Sequence, residues 1–342
     1  YSGTQTMTSN NAGGGVYNLQ ETGRGNGIRT LNCNNTTNYT NTNFTNSSSS
    51  WNLAGVDKYA TDAHWGSEMT YDYFLNKHGR NSIDGSGFRL DSYVHYDVNY
   101  GNAFWDGQRM TYGDGSSGNR PFTALDIAGH EITHGLTTFT ADLVYQDESG
   151  ALNESFSDIF GVSVEFISRP GNANWLMGED LGFTIRNMSN PNANGDTYFG
   201  TNWAALGGGD NGGVHTNSGV QNFWYYLLTI GGTGTNDNGD SYNVTGLGLD
   251  KAGEIAFRNL TVYLTTSSGY VDARLYAIQS AADLFGACTP EVESVTNAWY
   301  AVGVGSAYQP FAVSDFESCI TTSCSVPFTV DFNNTSVNGG TF

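Results

Sequence analysis

The chain has 342 residues, with 33 Asp and Glu against 13 Lys and Arg, a formal net charge of −20. That acid excess argues against nucleic acid and anionic membrane surfaces as partners, because both attract clustered positive charge, and no apolar run reaches the roughly 20 residues a membrane helix needs. A 38% hydrophobic and 13% aromatic composition excludes general disorder and can fill a sizeable core, and the length suits two lobes. The surplus carboxylates serve solubility, and some of them can hold calcium, which takes oxygen ligands.

In chain order, residues 1 to about 50 are polar and turn-rich. The Asn-, Thr- and Ser-dominated stretch Asn32–Ser50 reads as a solvated loop or short edge strands. Tyr1 in place of an initiator Met predicts a processed product. Residues 56–78 carry apolar groups at helical spacing (Val56, Tyr59, Ala60, Ala63, Met69, Tyr73, Phe74), and the alternation from Tyr93 to Tyr100 predicts a strand.

Thr123-Ala-Leu-Asp126 has the form of a capping box opening a helix over Leu125–Phe139. Further helices are predicted over Ser149–Phe166, Thr216–Leu228, Lys251–Leu264, Val271–Phe285 and Pro290–Val302, the last with Thr289 as N-cap and Pro290 at the first helical position. Strands and turns thus precede helices. The expected fold class is α+β, with a β-rich N-terminal lobe over residues 1–145, a mainly helical lobe over 146–308, and a linker plus truncated β-rich appendage over 309–342. Of Cys33, Cys288, Cys319 and Cys324, the last three lie near one another in sequence, which predicts a disulfide among them, although four cysteines permit three full pairings.

The segment His130-Glu131-Ile132-Thr133-His134 carries the chemistry. On a helix, positions i and i+4 share a face, so both imidazoles reach one ion, and neutral imidazole nitrogen suits Zn²⁺. Glu131 lies about 100° round the helix and borders the metal's open side. Glu154, 20 positions after His134 in Gly150-Ala-Leu-Asn-Glu-Ser-Phe-Ser-Asp158, supplies a third ligand if a second helix folds back on the first. Asn153 and Asp158 then orient the imidazoles. Three protein ligands leave the fourth position to water, the pattern of a catalytic zinc, whose acidified water a carboxylate base can deprotonate.

Asn102-Ala-Phe-Trp105, the His130–His134 segment, Tyr145-Gln-Asp-Glu-Ser-Gly-Ala-Leu-Asn-Glu154, Ser157-Asp-Ile-Phe-Gly161, Arg186-Asn-Met-Ser189 and Asp210-Asn-Gly-Gly-Val-His215 appear in this order. In them the chain resembles the thermolysin family of zinc endopeptidases, and within it the vibriolysin-like secreted bacterial enzymes, over about Val56 to Val304. The resemblance implies a two-lobed fold joined at the central zinc helix. It implies Glu131 as general base, Tyr145 and His215 as donors to the oxyanion, and Asp210 as the group that holds His215. It also implies that Asn102 and the Ala103 backbone bind substrate main chain, that Arg186 binds a substrate carbonyl, and that Ile127 and Ile185 line a pocket for an apolar residue just after the cut bond. At least one structural Ca²⁺ is implied at Asp126, Glu165, Asn174, the Leu176 carbonyl and Glu179. Secretion, a propeptide, protein or peptide substrates and a monomeric state follow from the same resemblance.

Other readings of the residues stay open at this stage: Tyr145 as a core aromatic, Asp210–His215 as a plain turn, a zinc aminopeptidase, or a zinc-containing adhesion protein that has lost catalysis. His64, His78 and His95 show no partner pattern and read as structural.

Overall fold

The structure, a computed structural model, describes residues 1–52, 55–190 and 196–309. Short strands β1 (Asn10–Gly13), β2 (Val16–Asn18), β3 (Gln20–Glu21), β4 (Ile28–Thr36) and β5 (Thr45–Asn46) precede helix α1 (Lys58–His78). The carboxylate of Asp57 caps α1 by accepting from Tyr59 N and Ala60 N, and Gly79 ends the helix at φ 64°, the left-handed conformation glycine adopts without cost. Strands β6 (Leu90–Tyr96), β7 (Ala103–Trp105) and β8 (Met110–Tyr112) follow.

A five-stranded sheet has the order β3-β4-β6-β8-β7. β4, β6 and β8 run parallel, which requires crossovers, and α1 supplies the one between β4 and β6. β7 pairs antiparallel with β8 alone and forms an edge. Two expectations change here. The Asn32–Ser50 stretch is not wholly loop, because β4 runs through Asn32–Thr36 with Cys33 buried. The predicted strand stops at Tyr96, because His95, Asp97 and Asn99 all take left-handed φ values near 56–58°, which ends the pleat.

Helices α2 (Leu125–Thr138) and α3 (Asp147–Ser168) form the centre of the molecule. Almost every residue of α2 is buried, including His130 and Glu131. The two helices run antiparallel: Asp126 faces Glu165, Gly129 faces Gly161, and His134 faces Asn153. They touch backbone to backbone at the glycines, where a Cβ on Gly129 would lie 2.9 Å from Gly161 Cα. That closeness lets short side chains on the two helices meet.

The predicted capping box does not form. Ala124, not Thr123, is the N-cap and makes no side-chain bond. The Asp126 carboxylate accepts instead from Ile127 N and from Gly178 N, across the fold.

The rest of the chain comprises β9 (Leu176–Met177), β10 (Arg186–Asn187), α4 (Gly209–Asn217), α5 (Gly219–Ile230), the hairpin β11 (Gly231–Thr235) and β12 (Ser241–Thr245), α6 (Leu249–Arg258), α7 (Tyr270–Phe285) and α8 (Pro290–Ala301). The predicted helix Thr216–Leu228 is divided at Ser218. The predicted helix Lys251–Leu264 becomes α6 followed by a π-turn over Asn259–Tyr263. Thr289 is the N-cap of α8, but its hydroxyl donates back to Gly286 O and leaves the helix uncapped by side chain. Cys33 is buried with a free thiol. Cys288 is disulfide-bonded, as the expected bridge among Cys288, Cys319 and Cys324 requires, whereas Cys319, Cys324 and the appendage predicted beyond 309 fall outside the described residues. No described helix is long and apolar enough to cross a membrane.

Candidate metal centre and active site

The antiparallel pair α2 and α3 brings His130, His134 and Glu154 together with one ligand atom of each within 4.8 Å of the others, the only such group among the described residues. Asp158 Oδ1 lies 2.8 Å from His130 Nδ1 and, as a carboxylate, can only accept. His130 therefore carries its proton on Nδ1. Asn153 donates its amide NH₂ to Leu143 O at 3.1 Å, which turns its carbonyl oxygen toward His134 Nδ1 at 2.7 Å and fixes the same tautomer there. Both Nε2 lone pairs then face each other at 3.0 Å. Two unprotonated nitrogens at that distance repel unless a cation lies between them. Glu154 Oε2, buried and without a hydrogen-bond partner, points into the same space. Two imidazoles and a carboxylate suit Zn²⁺, so the residues present fit the metal.

Charge around the group is arranged for ionised carboxylates. Burial alone would raise the Glu154 carboxyl, but His130 and His134, when their rings are protonated, together with Arg186 outweigh it and hold it well below the usual range. Asp158 is likewise driven down to about 2: burial opposes ionisation, and Arg186 and His130 overcome it. The Arg186 guanidinium makes a bidentate pair with Asp158, Nε and Nη2 each at 2.6 Å. Asn222 donates to Asp158 Oδ2 at 2.7 Å, and Ser157 Oγ lies 3.1 Å from His134 Nδ1. The sequence reading missed both partners. Ser157 stood inside a quoted motif, whereas Asn222 arrives from α5 with no local signal.

A cavity of about 520 Å³ opens onto the group. Its lining includes Asn102, Ala103, Ile127, Glu131, Tyr145, Ile185, Arg186 and His215, together with Phe122, Leu143 and Met177, which the sequence did not single out. Glu131 is 6% exposed, and its carboxyl is raised by burial, an effect that His130 and His134 partly offset. The Tyr145 hydroxyl donates to Glu154 Oε1 and lies 3.2 Å from His215 Nε2. Burial and the nearby Glu154 charge raise the phenol, so it stays a donor.

Asp210 holds His215 twice, at Nδ1 (2.6 Å) and at the backbone N–H (3.0 Å). This grip depends on a left-handed run over Asp210, Asn211, Gly212 and Gly213 at the start of α4. The segment is a turn, and it aims His215 Nε2 at the Tyr145 hydroxyl.

The five residues expected to hold calcium gather around the far end of the α2–α3 pair. Asn174 Nδ2 donates to Glu179 Oε1 (2.6 Å), its Oδ1 accepts from Leu176 N, and Glu165 accepts from Arg169 at 3.1 Å. Burial raises Asp126 to about 7 and Glu165 to about 8, and the neighbouring carboxylates add to both shifts. Their oxygens are not drawn to metal-ligand spacing.

Comparison with known proteins gives the family. The family described as "Thermolysin metallopeptidase, catalytic domain" matches residues 1–138, and "Thermolysin metallopeptidase, alpha-helical domain" matches residues 141–304. A bacillolysin of Bacillus caldolyticus and a thermolysin of Alicyclobacillus acidocaldarius subsp. acidocaldarius are each 44% identical over 304 residues, which is 85% of this chain and 53% of theirs. A bacillolysin of Brevibacillus brevis is 45% identical over 300 residues. The chain thus spans about half the length of the curated relatives it matches. Among solved structures, the precursor of protealysin, a metalloproteinase from Serratia proteamaculans, superposes with a TM-score of 0.67 at 30% identity, covering 81% of this chain and 87% of that one. Matched by two family models that span nearly all its described residues and by a solved relative over most of that relative's length, the chain belongs to the thermolysin metallopeptidase family.

Proposed function

We propose that this chain is a zinc metalloendopeptidase that hydrolyses internal peptide bonds, with His130, His134 and Glu154 holding the metal. The facing Nε2 atoms and the unpartnered Glu154 oxygen at the floor of a cleft carry this reading. Zinc held there supplies a Lewis acid for the scissile carbonyl and lowers the pKa of water to about 7. The chain's own groups do the rest. Glu131 takes the proton from the attacking water and passes it to the leaving amine. Its raised carboxyl brings it nearer that task. Tyr145 and His215 donate to the oxygen on which negative charge grows, with Asp210 fixing the imidazole.

β7 is a free edge, so substrate main chain can add to it through Asn102 and the Ala103 backbone. Arg186, pre-set by Asp158, reaches a substrate carbonyl. Ile127 and Ile185 form the wall that favours an apolar residue on the C-terminal side of the cut bond.

The same proposal includes one structural Ca²⁺ at Asp126, Glu165, Asn174, Leu176 and Glu179, where buried Glu165 Oε2 and Glu179 Oε2 lack partners. It includes secretion to the extracellular space, a monomeric state, a propeptide as in the protealysin precursor, and lobes divided at residues 145 and 146. Incubation with peptides blocked at the amino end tests the activity. Cleavage before internal apolar residues that stops on zinc chelation supports it. Removal of free amino-terminal residues alone indicates an aminopeptidase, and no cleavage at all with metal bound indicates a binding protein.

A further inference from the structure

The two ring nitrogens of His95 both meet carboxylates: Nδ1 lies 2.7 and 3.0 Å from the two oxygens of Asp114, and Nε2 lies 2.7 Å from Asp57 Oδ2. Carboxylates only accept, so both nitrogens donate and the ring is cationic. Each aspartate is committed elsewhere. Asp57 Oδ1 caps α1. Asp114 is 8% exposed and sits at the centre of Gly113-Asp114-Gly115, the segment that backs the substrate edge. Gly113 N donates to Asn102 O at 3.0 Å, and Gly115 N donates to Tyr100 O at 2.9 Å. The approach is so close that a Cβ on Gly113 would overlap the Tyr100 carbonyl.

β7 needs such backing. It is three residues long and pairs with one strand. The segment leading to it contains three non-glycine residues in left-handed conformation, His95, Asp97 and Asn99. Positions of that kind persist only where their surroundings over-determine them, and they gather at functional sites.

We infer that His95, clamped between Asp57 and Asp114, is a positioning residue: it ties the start of α1 to the segment that fixes the register of Asn102 and Ala103, and so sets the edge onto which substrate main chain adds. The inference rests on the endopeptidase reading above, yet concerns residues outside the metal centre.

Kinetics of His95→Gln test it, with a long peptide that spans β7 and a small hydroxamate that engages the metal alone. The expected result is a KM for the long peptide raised up to about tenfold, the equivalent of one lost hydrogen bond, with kcat within about twofold and the hydroxamate Ki unchanged. A residue that merely stabilises the fold would move kcat, KM and Ki together or move none of them, and either result overturns the inference. Asp57→Asn keeps an N-cap residue on α1 but removes one charge from the clamp. It serves if His95→Gln does not fold, with a smaller rise in KM expected and an unchanged KM counting against the inference. If the wild type hydrolyses nothing, binding of the same peptide by calorimetry reads the same split, so failure of the activity and failure of this inference are told apart.

Discussion

His130 Nδ1 and Asp158 Oδ1 lie 2.8 Å apart, and that one hydrogen bond decides which imidazole nitrogen faces the metal. Asp158 is completely buried and also takes Arg186 and Asn222. Replacing it with Asn puts an NH₂ where donors already point. Metal affinity should fall about 10–100-fold, and stability should fall by about 3–5 kcal/mol because Arg186 is left buried without its partner. Competition with a zinc chelator and urea unfolding of Asp158→Asn measure the two effects.

The Tyr145 hydroxyl and His215 Nε2 lie 3.2 Å apart, and in the proposed reaction both donate to the growing oxyanion. Tyr145→Phe and His215→Ala should each lower kcat about 10²–10³-fold, the usual effect of removing one oxyanion donor, with zinc content unchanged. Asp210→Asn should act in the same direction but more weakly, since it still accepts from the His215 backbone. Steady-state kinetics with parallel metal analysis check this.

Crowded carboxylates around Asp126 and Glu165 should be relieved by a cation. Calcium at 100 times its Kd should add about 2.7 kcal/mol of stability, and Glu165→Gln should remove most of that increment. Thermal unfolding with and without calcium is the measurement.

His95 is raised to about 9 by Asp114 and Asp57, which overcome the opposing effect of burial. The unfolded side chain titrates near about 6.5. The folded state therefore binds the extra proton between these values, and stability falls as pH rises. The contribution is fully present below about pH 6.5 and is lost as pH passes through about 9. Denaturant unfolding from pH 6.5 to 9.5 should show this downward slope in the wild type and a flatter one in His95→Gln.

What the sequence made legible was local. The His130–His134 spacing and the return of Glu154 after 20 residues are properties of two adjacent helices, and the structure places them together. Contacts made across the fold were not legible. Asn222 reaches Asp158 from 64 residues away, and Gly178 draws Asp126 out of the cap that its spacing with Thr123 suggested. The end of β6 was misread because alternation continues past Tyr96 in sequence, while left-handed His95, Asp97 and Asn99 break the pleat.

Glu131→Gln, assayed for bound zinc and for turnover of one internally cleaved peptide, tests the central claim most directly. The account predicts about one zinc per chain retained and turnover reduced at least about 10²–10⁴-fold, the share a general base supplies. Near-normal turnover with zinc in place would contradict it.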